Sequence, residues 1–146
     1  MYDGTALTKN GYTNTELATG DSITSVTVTG SQTPVGKSDN VPSAAKIVNA
    51  AGEDVTSSYD ITYANGTLEV TKKAVTITAD SAEKVYDGTA LTKDSYTNTA
   101  LAADDRIASV TVTGSQTEVG QSANVPSAAK IVNAAGEDVT DRKSVV

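Results

Sequence analysis

Cysteine, histidine, phenylalanine and tryptophan are all absent from this chain. Without cysteine there are no disulfides, no thiolate nucleophiles and no cysteine–zinc sites. Without histidine or cysteine, neither a Ser-His-Asp nor a Cys-His catalytic arrangement can be assembled. The aromatic complement is six tyrosines: Tyr2, Tyr12, Tyr59, Tyr63, Tyr86 and Tyr96. A core must therefore be built from Val, Ile, Leu, Ala and Tyr, which bury less area per residue than a Phe- or Trp-rich core. That composition suits a thin module. Long apolar runs are missing too, and nothing approaches the ~20 residues of a membrane-spanning helix. Basic residues are few, 11 against 18 acids, for a net charge of −7. This balance repels nucleic-acid phosphates and anionic membranes, so neither is an expected partner. The first residues are not those of a signal peptide and no sorting signal closes the sequence, so export addresses are expected outside it.

What the sequence does contain is a long repeat. Tyr2-Asp3-Gly4-Thr5-Ala6-Leu7-Thr8-Lys9 returns 84 residues later as Tyr86-Asp87-Gly88-Thr89-Ala90-Leu91-Thr92-Lys93. Residues 1–56 align with 85–140 without a gap and differ at 11 of the 56 positions. Apolar positions are nearly all kept, and the changes fall mainly on polar or small residues. The first copy has no counterpart of residues 74–84, and the second has none of residues 57–73. Two repeats are expected, at 1–73 and 74–146, each missing one part. Residues 141–146 (Asp-Arg-Lys-Ser-Val-Val) match nothing upstream and form a divergent tail.

Alternation of period two marks the strands. Val26-Thr27-Val28-Thr29, its copy at 110–113, and Val75-Thr76-Ile77-Thr78-Ala79 all show it. Ile23 and Ile107 fall out of phase, which predicts a bulge or a strand start. Ala45-Lys46-Ile47-Val48 and its copy are further strands. Asn65-Gly66 predicts a type I′ hairpin turn that pairs Tyr63 with Leu68 and Ile61 with Val70. Only residues 17–23 and 101–107 have the pattern of a helical turn. The expected fold is all-β: tandem, elongated, small antiparallel β-sandwich (Ig-like) modules. Units of β-grasp type with one short helix are the alternative.

Polar motifs fit turns better than chemistry. Asp3-Gly4 and Asp87-Gly88 are expected as structural turns, the Asp accepting backbone N–H bonds and the Gly taking positive φ. Asn65 and Gly66 belong to the same class. The loop acids Asp54 and Asp138, each after a Glu, are the candidates for a hard cation, although EF-hand spacing is absent. Paired carboxylates without aromatic platforms do not make a glycosidase cleft. No phosphate-binding Gly-rich motif is present. Lys46 and Asn49 (and Lys130 and Asn133) could suggest an isopeptide crosslink, but a spacing of three on a strand points them to opposite faces. Catalytic and cofactor-binding residues are expected to be none.

Lys84-Val85-Tyr86-Asp87-Gly88-Thr89, Gly52-Glu53-Asp54-Val55-Thr56 and the segment from Tyr59 to Leu68 together resemble the YDG/MBG-type tandem repeats of bacterial surface adhesins. The resemblance covers the chain except 141–146. It implies an extracellular, cell-wall-associated, non-catalytic protein whose partners are its own neighbouring repeats. The expected role is a stalk or spacer. The alternative is an adhesin module that binds mucin, another host glycan or glycoprotein, or matrix protein.

Overall fold

The computed structural model describes residues 1–145 and is almost entirely β-structure, without an α-helix among them. The chain divides into two compact units. One is Thr5–Val70; the other joins Met1–Gly4 to the segment from Thr71 onward. The first four residues thus group with the segment that follows Val70, not with the residues that follow them directly.

In the unit Thr5–Val70, β1 (Ser22–Thr29), β2 (Gly36–Val48) and β3 (Gly66–Val70) form an antiparallel sheet in the order β1-β2-β3. β1 buries Val26 and Val28 in part and exposes the threonines between them, as the alternation predicts. Ile23, expected at a bulge or a strand start, lies at both: β1 begins one residue before it, and the β1–β2 register shifts between Ile23 and Ser25, and again before Thr27. Opposite it, Ala44 takes a left-handed φ of 50°. β2 pairs with its neighbours over different halves, residues 41–48 with β1 and residues 36–40 with β3. Pro42 therefore faces a ladder on one side only, where a missing N–H is tolerated. Ile47, Leu68 and Val70 are the buried core.

The Asn-Gly hairpin does not form. Residues 59–65 are not a strand, Asn65 lacks positive φ, and Gly66 opens β3, whose ladder partner is β2. The register runs from Gly36 opposite Val70 to Asn40 opposite Gly66. Tertiary bonds override the local turn signal. The Tyr63 hydroxyl accepts the Ala45 N–H at 2.9 Å, and the Tyr59 hydroxyl donates to Asp21 Oδ2 at 2.6 Å. Residues 17–23 and 101–107 are not helical either. Each makes a tight turn, Asp21 N–H to the Ala18 carbonyl and Asp105 N–H to that of Ala102. Positive φ at Gly20 and Asp104 (89° and 63°) ends the turn and directs the chain into a strand.

The other unit repeats this plan with different closures. β4 (Lys73–Val75) and β5 (Ile77–Ala79) divide the predicted strand at Thr76, whose N–H bonds Thr99 Oγ1. β5 pairs antiparallel with β6 (Tyr96–Asn98), and β7 (Arg106–Thr113) with β8 (Val125–Val132) in the register of β1 and β2. β9 (Lys143–Val145) lies parallel to β4. Tyr2, Val75, Ile77, Ala102, Ile131, Val132 and Val139 form the core.

Candidate functional site

The Tyr-Asp-Gly turns differ between copies. Tyr2 is 3% exposed, and its N–H bonds the Thr71 carbonyl at 2.7 Å. Tyr86 is 57% exposed. Both glycines take the left-handed φ region, Gly4 at 86° and Gly88 at 77°. Asp87 Oδ1 accepts from the Lys84 ammonium, the Thr89 hydroxyl and the Thr89 N–H at 2.7–2.9 Å. The lysine first, then the threonine, hold its carboxyl far below the usual carboxylate range. These bonds engage that oxygen within the turn itself.

The cation candidates are engaged in the same way. Asp54 Oδ1 accepts the Thr56 N–H at 3.0 Å and Asp138 Oδ1 the Thr140 N–H at 2.9 Å. Hydrogen bonds from those threonines, hydroxyl before N–H, lower both carboxyl pKa values. Neighbouring Glu53 and Glu137 accept from Asn49 and Asn133 at 2.8 Å. Among the described residues no three acidic side chains converge as a metal site would require. The Lys46–Asn49 pair does not meet the needs of a crosslink: Lys46 is exposed, and Asn49 lies past the end of β2 with its side chain in the turn to Glu53.

A different constellation was not legible as a site. Asp105 and Lys143 form an ion pair at 2.6 Å with both side chains almost wholly buried. The Lys143 ammonium also lies 4.0 Å from the Tyr2 ring centre, a cation–π distance. Subtracting the 84-residue repeat maps Asp105 onto Asp21 and Lys143 onto Tyr59, the pair bonded in the first repeat. The short 3-10 turn Thr140–Arg142 likewise matches Thr56–Ser58. Up to Lys143 the tail therefore keeps two features of the first repeat, the 3-10 turn and the donor to the aspartate, although residues 143–145 form a strand where 59–61 do not. The alignment held the signal, but lysine and tyrosine share no obvious likeness in one-letter code.

The second unit also carries an open cleft of about 790 Å³. Its walls are residues 79–93 on one side and the loop 114–124 on the other, with Tyr86, Leu91 and Val119 among the lining side chains. It is mixed in polarity: Glu83, Lys84, Lys93 and Glu118 line it beside the apolar side chains.

Comparison of this chain with protein-family models, curated proteins and solved structures gave no match.

Proposed function

We propose that this chain is a non-catalytic stalk or spacer segment of a bacterial cell-surface adhesin of the YDG/MBG type, exposed at the cell wall. The observation that carries this reading is the placement of Met1–Gly4. By sequence these residues open the first repeat, yet they fold into the unit built from the second, with Tyr2 buried there. An array whose repeats share segments resists separation at its joints better than beads on a flexible string. The confinement of most sequence changes to polar or small positions, and acids engaged in turns, support the same reading. Each repeat is taken as a thin Ig-like antiparallel sandwich; the parallel β4–β9 pair is the feature that favours a β-grasp-like alternative.

Small-angle scattering of chains with two, four and six repeats tests it. A spacer lengthens linearly, by roughly 35–45 Å per repeat if strands follow the long axis. A maximum dimension that saturates with repeat number would refute it. The second reading, an adhesin module for mucin, glycan or matrix protein, draws on the exposed Tyr86 and Val119. Dose-dependent binding of a single repeat on a glycan array would favour it over a pure spacer.

A further inference from the structure

The cleft of the second repeat is lined by residues 120–124, the counterparts of the segment that β3 pairs with in the first. There, residues 36–40 hold Gly66–Val70 in an antiparallel ladder, and Leu68 and Val70 are buried. Their counterparts at 120–124 belong to no strand.

The unpaired segment nevertheless keeps its shape. Gly120 has φ 149° and Gly36 140°. Ser122 Oγ donates to the Ser115 carbonyl at 3.1 Å, as Ser38 does to Ser31. Gln116 Nε2 bonds the Glu118 carbonyl at 2.8 Å, and Gln32 bonds that of Pro34 at 2.9 Å. The Leu91–Gln116 bridge repeats Leu7–Gln32. Asn124 Nδ2 ties the segment to the carbonyls of Lys93 and Asp80 at 2.8 and 3.0 Å. Burial is what changes: Val35 is half-buried, whereas Val119 is 87% exposed. The first repeat thus shows the occupied form of a surface that the second shows open and already formed.

We propose that residues 120–124, with the cleft walls at 79–93 and 114–119, are a preorganised strand-acceptor slot. Its ligand is an extended peptide with aliphatic side chains at alternate positions, as in Leu68 and Val70, added antiparallel to residues 120–124. An unpaired edge offers N–H and C=O groups for a ladder, and alternate pockets read the side chains. A slot that needs no reordering spares the entropy of binding. Lys37, which pairs with Glu69 at 3.6 Å in the first repeat, is replaced by Gln121. Recognition at the open slot therefore rests on apolar side chains and backbone, not on charge. The proposal stands on the fold and is independent of the spacer reading.

The test uses the full chain and a labelled synthetic peptide with the sequence of residues 58–73. Anisotropy should show saturable one-to-one binding, changing less than about twofold between about 50 and about 500 mM salt. Hydrogen exchange should slow at residues 120–124, at least about tenfold at saturation, and not at 36–40. A peptide carrying Leu68→Asp and Val70→Asp should bind at least about tenfold more weakly. In the chain, Val119→Asp, at a position already exposed, should leave folding intact and weaken binding by a similar factor. Protection appearing elsewhere, equal binding of the Asp-substituted peptide, or self-pairing of chains at 120–124 that the peptide does not displace would overturn it.

Discussion

The Lys143 ammonium donates to Asp105 Oδ2 at 2.6 Å, in the place where the Tyr59 hydroxyl donates to Asp21 Oδ2 at 2.6 Å in the other repeat. Two chemically different donors satisfy one retained acceptor. Lys143→Met would leave Asp105 buried without its partner, at a cost of about 3–5 kcal/mol. Lys143→Tyr supplies the donor that the first repeat already uses and should recover most of that loss. Urea unfolding of the three chains checks this; equal destabilisation by Met and Tyr would show that the acceptor is not what the position serves.

Tyr2 and Tyr86 occupy the same place in the repeat but opposite environments. Tyr2→Ala removes a buried ring from beneath Lys143 and should destabilise its unit by about 3 kcal/mol. Tyr86→Ala removes a ring that is mostly in water and should change stability by no more than about 0.5 kcal/mol. Thermal melts of both variants measure the difference. Similar losses would mean that Met1–Gly4 adds little to the unit it joins.

Local periodicity and long-range pairing explain what the sequence disclosed. Val26 and Val28 alternate with threonine, and that pattern marked the second half of β1; the phase of Ile23 marked a bulge or a strand start in the first half. The partner of β3 was misread because Asn65-Gly66 is a strong local signal. The actual ladder joins residues about 30 apart, and no pattern within a short window records it. The buried Lys143 was hidden for a related reason. Charged residues are almost never buried unless paired, and its partner Asp105 is 38 residues away. Of the turn acids, Asp87 was expected to accept backbone N–H bonds, whereas Asp54 and Asp138 were read as cation candidates; the Asp-x-Thr spacing that brings each carboxylate within reach of the N–H two residues on went unused.

Gly30 and Gly114 close β1 and β7 against an asparagine. A Cβ on Gly30 would lie 2.6 Å from Asn40 Oδ1 and 2.7 Å from the Asp39 carbonyl. On Gly114 it would meet Asn124 Oδ1 at 2.6 Å and the Ala123 carbonyl at 2.9 Å. Backbone oxygens cannot yield as a flexible side chain does. Either Gly→Ala change should cost about 1–3 kcal/mol, although alanine ordinarily stabilises relative to glycine. Gly52→Ala meets no neighbour and tests backbone strain instead, because its φ is 81°. Equilibrium unfolding of Gly30→Ala with no loss would show that Asn40 moves freely.

Acid should weaken the fold through Asp87, Asp54 and Asp138. The Lys84 ammonium and Thr89 hold Asp87 low, and Thr56 and Thr140 do the same for the other two. In the unfolded chain each returns toward the ordinary value of 3.8. The unfolded state therefore binds these protons first as pH falls, and the linked stability declines below that value toward the lower folded pKa. Above about pH 5 both states are ionised, the full contribution is present and the dependence is flat. Thermal midpoints measured from pH 7 to pH 2 should show a plateau followed by an acid decline. Replacing all three by Asn removes the titrating groups while keeping an oxygen that can accept the threonine N–H, so the decline should become shallower. An unchanged acid slope in the triple variant would mean that these turns do not couple protonation to folding.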